Sequence, residues 1–98
     1  MQLVNREGGG DGMKFLVIWS FKRVTLTPDL VRAVLDMRSY AKRLKDEGKL
    51  EAHYHIVGKH GGAWIFDVGS NEELENLLAG MPVYNLAEYE VYPLAEMR

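Results

Sequence analysis

The chain has 98 residues, of which 47% are hydrophobic and 27% charged, and its formal net charge is −2. This bounds a single soluble globular domain, and the interspersed charge presents no basic face for nucleic acid or an anionic membrane. The absence of cysteine excludes disulfide scaffolds, thiolate metal sites and cysteine nucleophiles, and fits a reducing, cytoplasmic setting.

No run approaches the roughly 20 apolar residues of a membrane span. Residues 1–12, MQLVNREGGGDG, lack the apolar core of a secretory signal. Their glycine run reads as a flexible lead-in to one domain over residues 13–98. Met13 opens the first patterned segment and could itself be the natural start.

KFLVIWSF, residues 14–21, is short, β-branched and aromatic, the signature of a buried strand. Alternation places Phe15, Val17, Trp19 and Phe21 on one face and Lys14, Leu16, Ile18 and Ser20 on the other. A helix follows. Thr27 is the predicted N-cap, Pro28 the first helical residue, and Gly48 the left-handed stop. Leu30, Val34, Met37, Ala41 and Leu44 form its apolar stripe, and Lys42, Arg43 and Lys45 suit its C-terminal dipole.

LEAHYHIV, residues 50–57, alternates nearly strictly. Leu50, Ala52, Tyr54 and Ile56 are expected to point one way, and Glu51, His53, His55 and Val57 the other. Gly58 to Gly62 read as a turn, and AWIFDV returns as the hairpin partner. Ser70 with Glu73 forms a capping box ahead of a second helix, buried through Leu74, Leu77 and Leu78 and stopped by Gly80 and Pro82. NLAEYEVYPL is the last strand, with Leu86, Glu88 and Glu90 opposed to Ala87, Tyr89 and Val91.

The order βαββαβ predicts a ferredoxin-like α+β fold, a four-stranded antiparallel sheet with two helices on one face. The uncovered face would carry Leu16, Ile18 and either Trp64 or Ile65 beside Ser20, Glu51, His53 and His55. So much apolar surface is unusual in a monomer. A homodimer or higher homo-oligomer, closing sheet on sheet with a ligand cavity between, is therefore expected.

The stretch from Met13 to about Val91 resembles the muconolactone delta-isomerase family of the dimeric α+β barrel superfamily. The residues that carry the resemblance are AKRLKDEGKL entering the second strand, FDVGSNEELENLL, MPVY and EYEV. The resemblance implies isomerisation of a small γ-lactone carboxylate by a 1,3-proton shift, without cofactor or metal. Such chemistry needs a base, a donor for the enolate oxygen and a cation for the carboxylate. The family's second strand typically carries arginines on its open face, where this chain has Glu51 and His55, and Leu16 and Ile18 replace polar residues of the first strand.

His55 and His53 are the candidate base or proton shuttle, with Ser20 or Tyr54 as donor. Glu51, Lys14, Arg38 and Trp64 are weighed as substrate-binding groups, each against a plainer role as solvated charge or core. Trp19 reads as core, and His60 as an exposed turn residue. A metal site lacks a third ligand. Two alternatives stand beside the isomerase: a cofactor-free monooxygenase on an aromatic substrate, which the apolar Leu16 and Ile18 suit, and a non-catalytic ligand-binding or oligomerisation module.

Overall fold

The computed structural model describes residues 12–22 and 27–97; the lead-in assigned to residues 1–12 lies almost wholly outside them. The elements are β1 (Met13–Phe21), α1 (Pro28–Asp46), β2 (Leu50–His55), β3 (Gly61–Val68), α2 (Asn71–Ala79), a single 3-10 turn (Tyr84–Leu86) and β4 (Ala87–Leu94). The strands form one antiparallel sheet in the order β2-β3-β1-β4. This is the ferredoxin-like arrangement, with β2 and β4 as the edges.

Both helices start where their caps predict. The Thr27 hydroxyl accepts from the Leu30 N–H at 3.1 Å, and the Ser70 hydroxyl from the Glu73 N–H at 3.0 Å. Each satisfies one of the amides that a helix start leaves unpaired. The Glu73 carboxylate reaches back to the Gly69 N–H at 2.8 Å and also meets Lys49 Nζ at 2.7 Å. At the far end of α1, Gly48 takes φ +77°, which a side chain would oppose.

One sheet face is packed. Phe15, Val17 and Trp19 of β1, Leu50 of β2 and Trp64, Phe66 and Val68 of β3 meet Met37, Tyr40, Ala41 and Leu44 of α1 and Leu74 of α2. Among the described residues no polar or charged side chain is fully buried there. Fully burying a large apolar side chain is worth about 1.5–3 kcal/mol, so this layer supplies the main drive to fold.

Two expectations change here. The α1 stripe places Val34 inside, but Val34 stays 42% exposed while Tyr40 is buried, its hydroxyl donating to the Leu77 carbonyl at 2.5 Å. The cause lies across from it. Gly61 and Gly62 belong to β3 and not to the turn, and pair with Ser20 and Trp19; Gly62, on the covered face with Trp19, offers α1 no side chain, and Val34 lines the cavity there. Gly61 cannot be otherwise, because an added Cβ would sit 2.0 Å from the Trp19 carbonyl oxygen.

The second change is in β2. Leu50 opposes Phe66 and Ala52 opposes Ile65, so two steps along β2 meet one along β3, with Glu51 as the extra residue of a β-bulge. The bulge inverts the alternation predicted for this strand. Leu50 keeps its core position, but Ala52 and Tyr54 turn to the uncovered face, opposite Ile65 and Ala63. His53 and His55 then pair with Trp64 and Gly62, on the face that the helices cover.

Candidate active site

Between α1 and the β2–β3–β1 end of the sheet lies an open cavity of about 590 Å³. That is within the usual size of small-molecule sites, about 300–1,000 Å³. Its floor is aromatic. Trp19 meets Trp64 edge to face with ring centroids 6.3 Å apart, and Phe21 packs on Trp19 in the same way at 5.6 Å.

One wall is a helix flank. Arg38, Lys42 and Lys45, at spacings of four and three, share a side of α1 one step round from the buried Met37, Ala41 and Leu44. Lys42 is held by Asp46 at 3.1 Å, and Asp46 also lines the cavity. Three cations against one carboxylate leave this wall net positive.

The opposite wall is the β2–β3 hairpin, which brings His53, His55 and His60 to the rim. His53 packs its ring edge-on against Trp64 at 5.7 Å, and His55 stands opposite Gly62. All three imidazoles are exposed at the mouth. Among the described residues no group of three or more histidine, aspartate or glutamate side chains is arranged to hold a metal ion.

The predicted site residues thus divide. His53, His55 and Trp64 come together at the cavity, Trp64 on its floor and not on the uncovered face. Ser20, opposite Gly61 and Glu88, lies on the uncovered face; Tyr54, 63% exposed, belongs there by register and touches only the cavity's edge. Glu51 and Lys14 form an ion pair at 2.5 Å on that face, and Asp67 joins Lys14 at 3.6 Å. The Lys14 ammonium is pushed above its usual range, first by its hydrogen bond to Glu51. With two carboxylates beside it, Lys14 is poorly suited to receive a substrate anion.

Sequence reasoning passed over Lys42 and Lys45, whose spacing with Arg38 was the available signal. It also set His60 aside. The turn geometry that curls His60 back over the cavity involves Gly58 at φ +89° and a Phe21 N–H donating to the His60 carbonyl at 3.0 Å. The glycine marks a turn in the sequence, but the Phe21–His60 bond that sets its direction does not show there.

Fold and cavity together define a small ferredoxin-like α+β protein with a ligand-sized site beneath its long helix. The chain belongs to the muconolactone delta-isomerase family, whose sequence profile matches residues 13–98. It is 42% identical over 59 residues to the muconolactone Delta-isomerase of Cupriavidus pinatubonensis, covering 60% of this chain and 64% of that one. It is 39% identical over 57 residues to the enzyme of the same name from Acinetobacter baylyi, covering 58% and 59%. These matches span less than two thirds of either relative's length. A crystal structure of muconolactone isomerase superposes with a TM-score of 0.79 at 28% identity, over 87% of this chain and 91% of that one.

Proposed function

We propose that this protein is a muconolactone isomerase-like enzyme, acting on a small carboxylated lactone in the cavity under α1. The observation that carries the reading is the pairing of two walls, a cationic helix flank facing a histidine-bearing hairpin across an aromatic floor. Arg38 and Lys45 hold the substrate carboxylate by charge-assisted hydrogen bonds. The lactone ring lies on the indoles. His55, with His53 beside it, takes a proton from one ring carbon and returns it two carbons away, so the double bond moves with no net change in composition.

Muconolactone turnover, followed as the absorbance change of enol-lactone formation, tests the reading. The wild-type chain should convert it, and His55→Ala should lose most of that activity. Full activity in His55→Ala removes the residue from the mechanism, and an inactive wild-type chain leaves only the fold relationship.

The same proposal includes a homodimer or larger homo-oligomer. Leu16, Ile18, Ala52, Ala63 and Ile65 sit half-buried on the face that no helix covers, rimmed by Lys14, Glu51, Asp67, Glu88 and Glu90. An apolar centre inside a charged rim is the anatomy of an interface. Among the described residues no helix is long and apolar enough to cross a membrane, and a cytoplasmic location is part of the reading.

A further inference from the structure

An isomerase of this kind must accommodate the negative charge that develops on the lactone carbonyl oxygen when a ring proton leaves. Ser20 and Tyr54, the donors expected from sequence, belong by register to the other side of the sheet. A different donor stands at the cavity. The indole Nε1 of Trp19 is buried and has no hydrogen-bond partner among the described residues, and Trp19 as a whole is 9% exposed. An unpaired buried donor is costly, and folded proteins leave few of them.

Its surroundings point to what it serves. Trp19 pairs with Gly62 across β1 and β3. A Cβ added at Gly62 would lie 2.8 Å from the Tyr54 carbonyl oxygen, 3.1 Å from Trp19 Nε1 and 3.2 Å from Trp64 Nε1. Both indole nitrogens therefore lie against a residue with no side chain, and Gly62, Trp19 and Trp64 all line the cavity. His55 stands across from the same glycine on β2.

Resting on the isomerase reading, we propose that the Trp19 indole N–H, assisted by that of Trp64, is the catalytic donor to the lactone carbonyl oxygen. The histidine takes the ring proton, and the electron pair of the broken C–H bond spreads into the extended enolate. The indole N–H keeps its own proton throughout and donates to the enolate oxygen. The protonated histidine then delivers the same proton to the second ring carbon. Neither oxidant nor co-reactant enters. The donors are fixed in a packed aromatic layer before substrate arrives, the condition under which such stabilisation is strongest.

The chain has two tryptophans, so its 1H–15N spectrum holds two indole N–H signals, assigned with Trp64→Phe. On titration with a saturated γ-lactone carboxylate, which binds but cannot isomerise, the Trp19 signal should move downfield. Trp19→Phe, which keeps a ring and loses the N–H, should lower kcat by about 10²–10³-fold with little change in KM. If the His53 ring signals respond to the lactone and the Trp19 indole does not, the donor is wrong and the site stands. Wild-type kcat in Trp19→Phe also overturns it. If no signal moves and the wild-type chain is inactive, the isomerase reading and this inference fall together. The titration uses the unaltered chain, so a poorly folded Trp19→Phe does not shelter the proposal.

Discussion

His53 lies directly across the β2–β3 ladder from Trp64, and their rings meet edge to face at 5.7 Å. Because cross-strand partners share a sheet face, this contact fixes the orientation of β2 beyond its bulge. The histidines stand under α1, beside the cavity and away from any sheet-to-sheet interface. The same geometry separates their roles: His53 is steadied by an indole, whereas His55 faces a glycine and the space above it.

Removing the imidazoles should therefore affect catalysis and spare the fold. His55→Ala and His53→Phe are each expected to reduce turnover of muconolactone, the former by about 10²–10⁴-fold, the usual range for general acid–base groups. His53→Phe retains a ring against Trp64. Its thermal midpoint should remain that of the wild type, as read by circular dichroism.

Substrate charge should be felt on the helix flank and not at Lys14. Arg38→Ala is expected to raise KM for a lactone carboxylate about tenfold, equivalent to about 1.4 kcal/mol. The corresponding methyl ester should show no such change. Lys14→Ala should leave KM unaltered, since its ammonium is occupied by Glu51 and Asp67 on the uncovered face. A strong Lys14 effect in steady-state kinetics would place the anion on the wrong side of the sheet.

The uncovered face gives a separate expectation. Ile18 is half-buried at its centre, opposite Ala63 and Glu90. Ile18→Asp would bring a second carboxylate beside Glu90 within an apolar contact, and should convert the assembly to monomers in sedimentation velocity. An unchanged sedimentation coefficient would show that this face is not the interface.

The α2 cap offers a stability test with a definite pH sign. Ser70→Ala should cost about 1 kcal/mol, or about 4–8 °C in Tm for a domain of this size. Hydrogen bonds from Lys49 and then from the Gly69 N–H hold the Glu73 carboxyl below its ordinary value. The folded state therefore favours the ionised form, and the stabilisation is present at neutral pH. It is lost as pH falls through the ordinary carboxylate range and below. Tm of Glu73→Gln should accordingly decline less between neutral and acid pH than that of the wild type.

The caps at Thr27 and Ser70, the glycine at position 48 and the βαββαβ order were legible because each rests on local chemistry. The faces of β2 were not. Its residues alternate so evenly that either parity reads well, and the bulge at Glu51 leaves no mark in composition. Leu50 must stay in the core opposite Phe66, and the Glu51 carboxylate is drawn to Lys14 on the opposite face. The extra residue reconciles the two. The cavity was hidden for a related reason. It lies over Gly62, which lacks a side chain on the covered face, and two glycines beside a hairpin read as a turn.

On the proposed function, chemistry occurs under α1 and not between paired sheets. Val34, exposed at the cavity and unneeded by the core, allows a direct measurement. Muconolactone turnover should be lost in Val34→Trp, whose indole fills the cavity from the helix side, with Tm and sedimentation unchanged. Wild-type turnover in Val34→Trp would contradict the claim and move the site elsewhere.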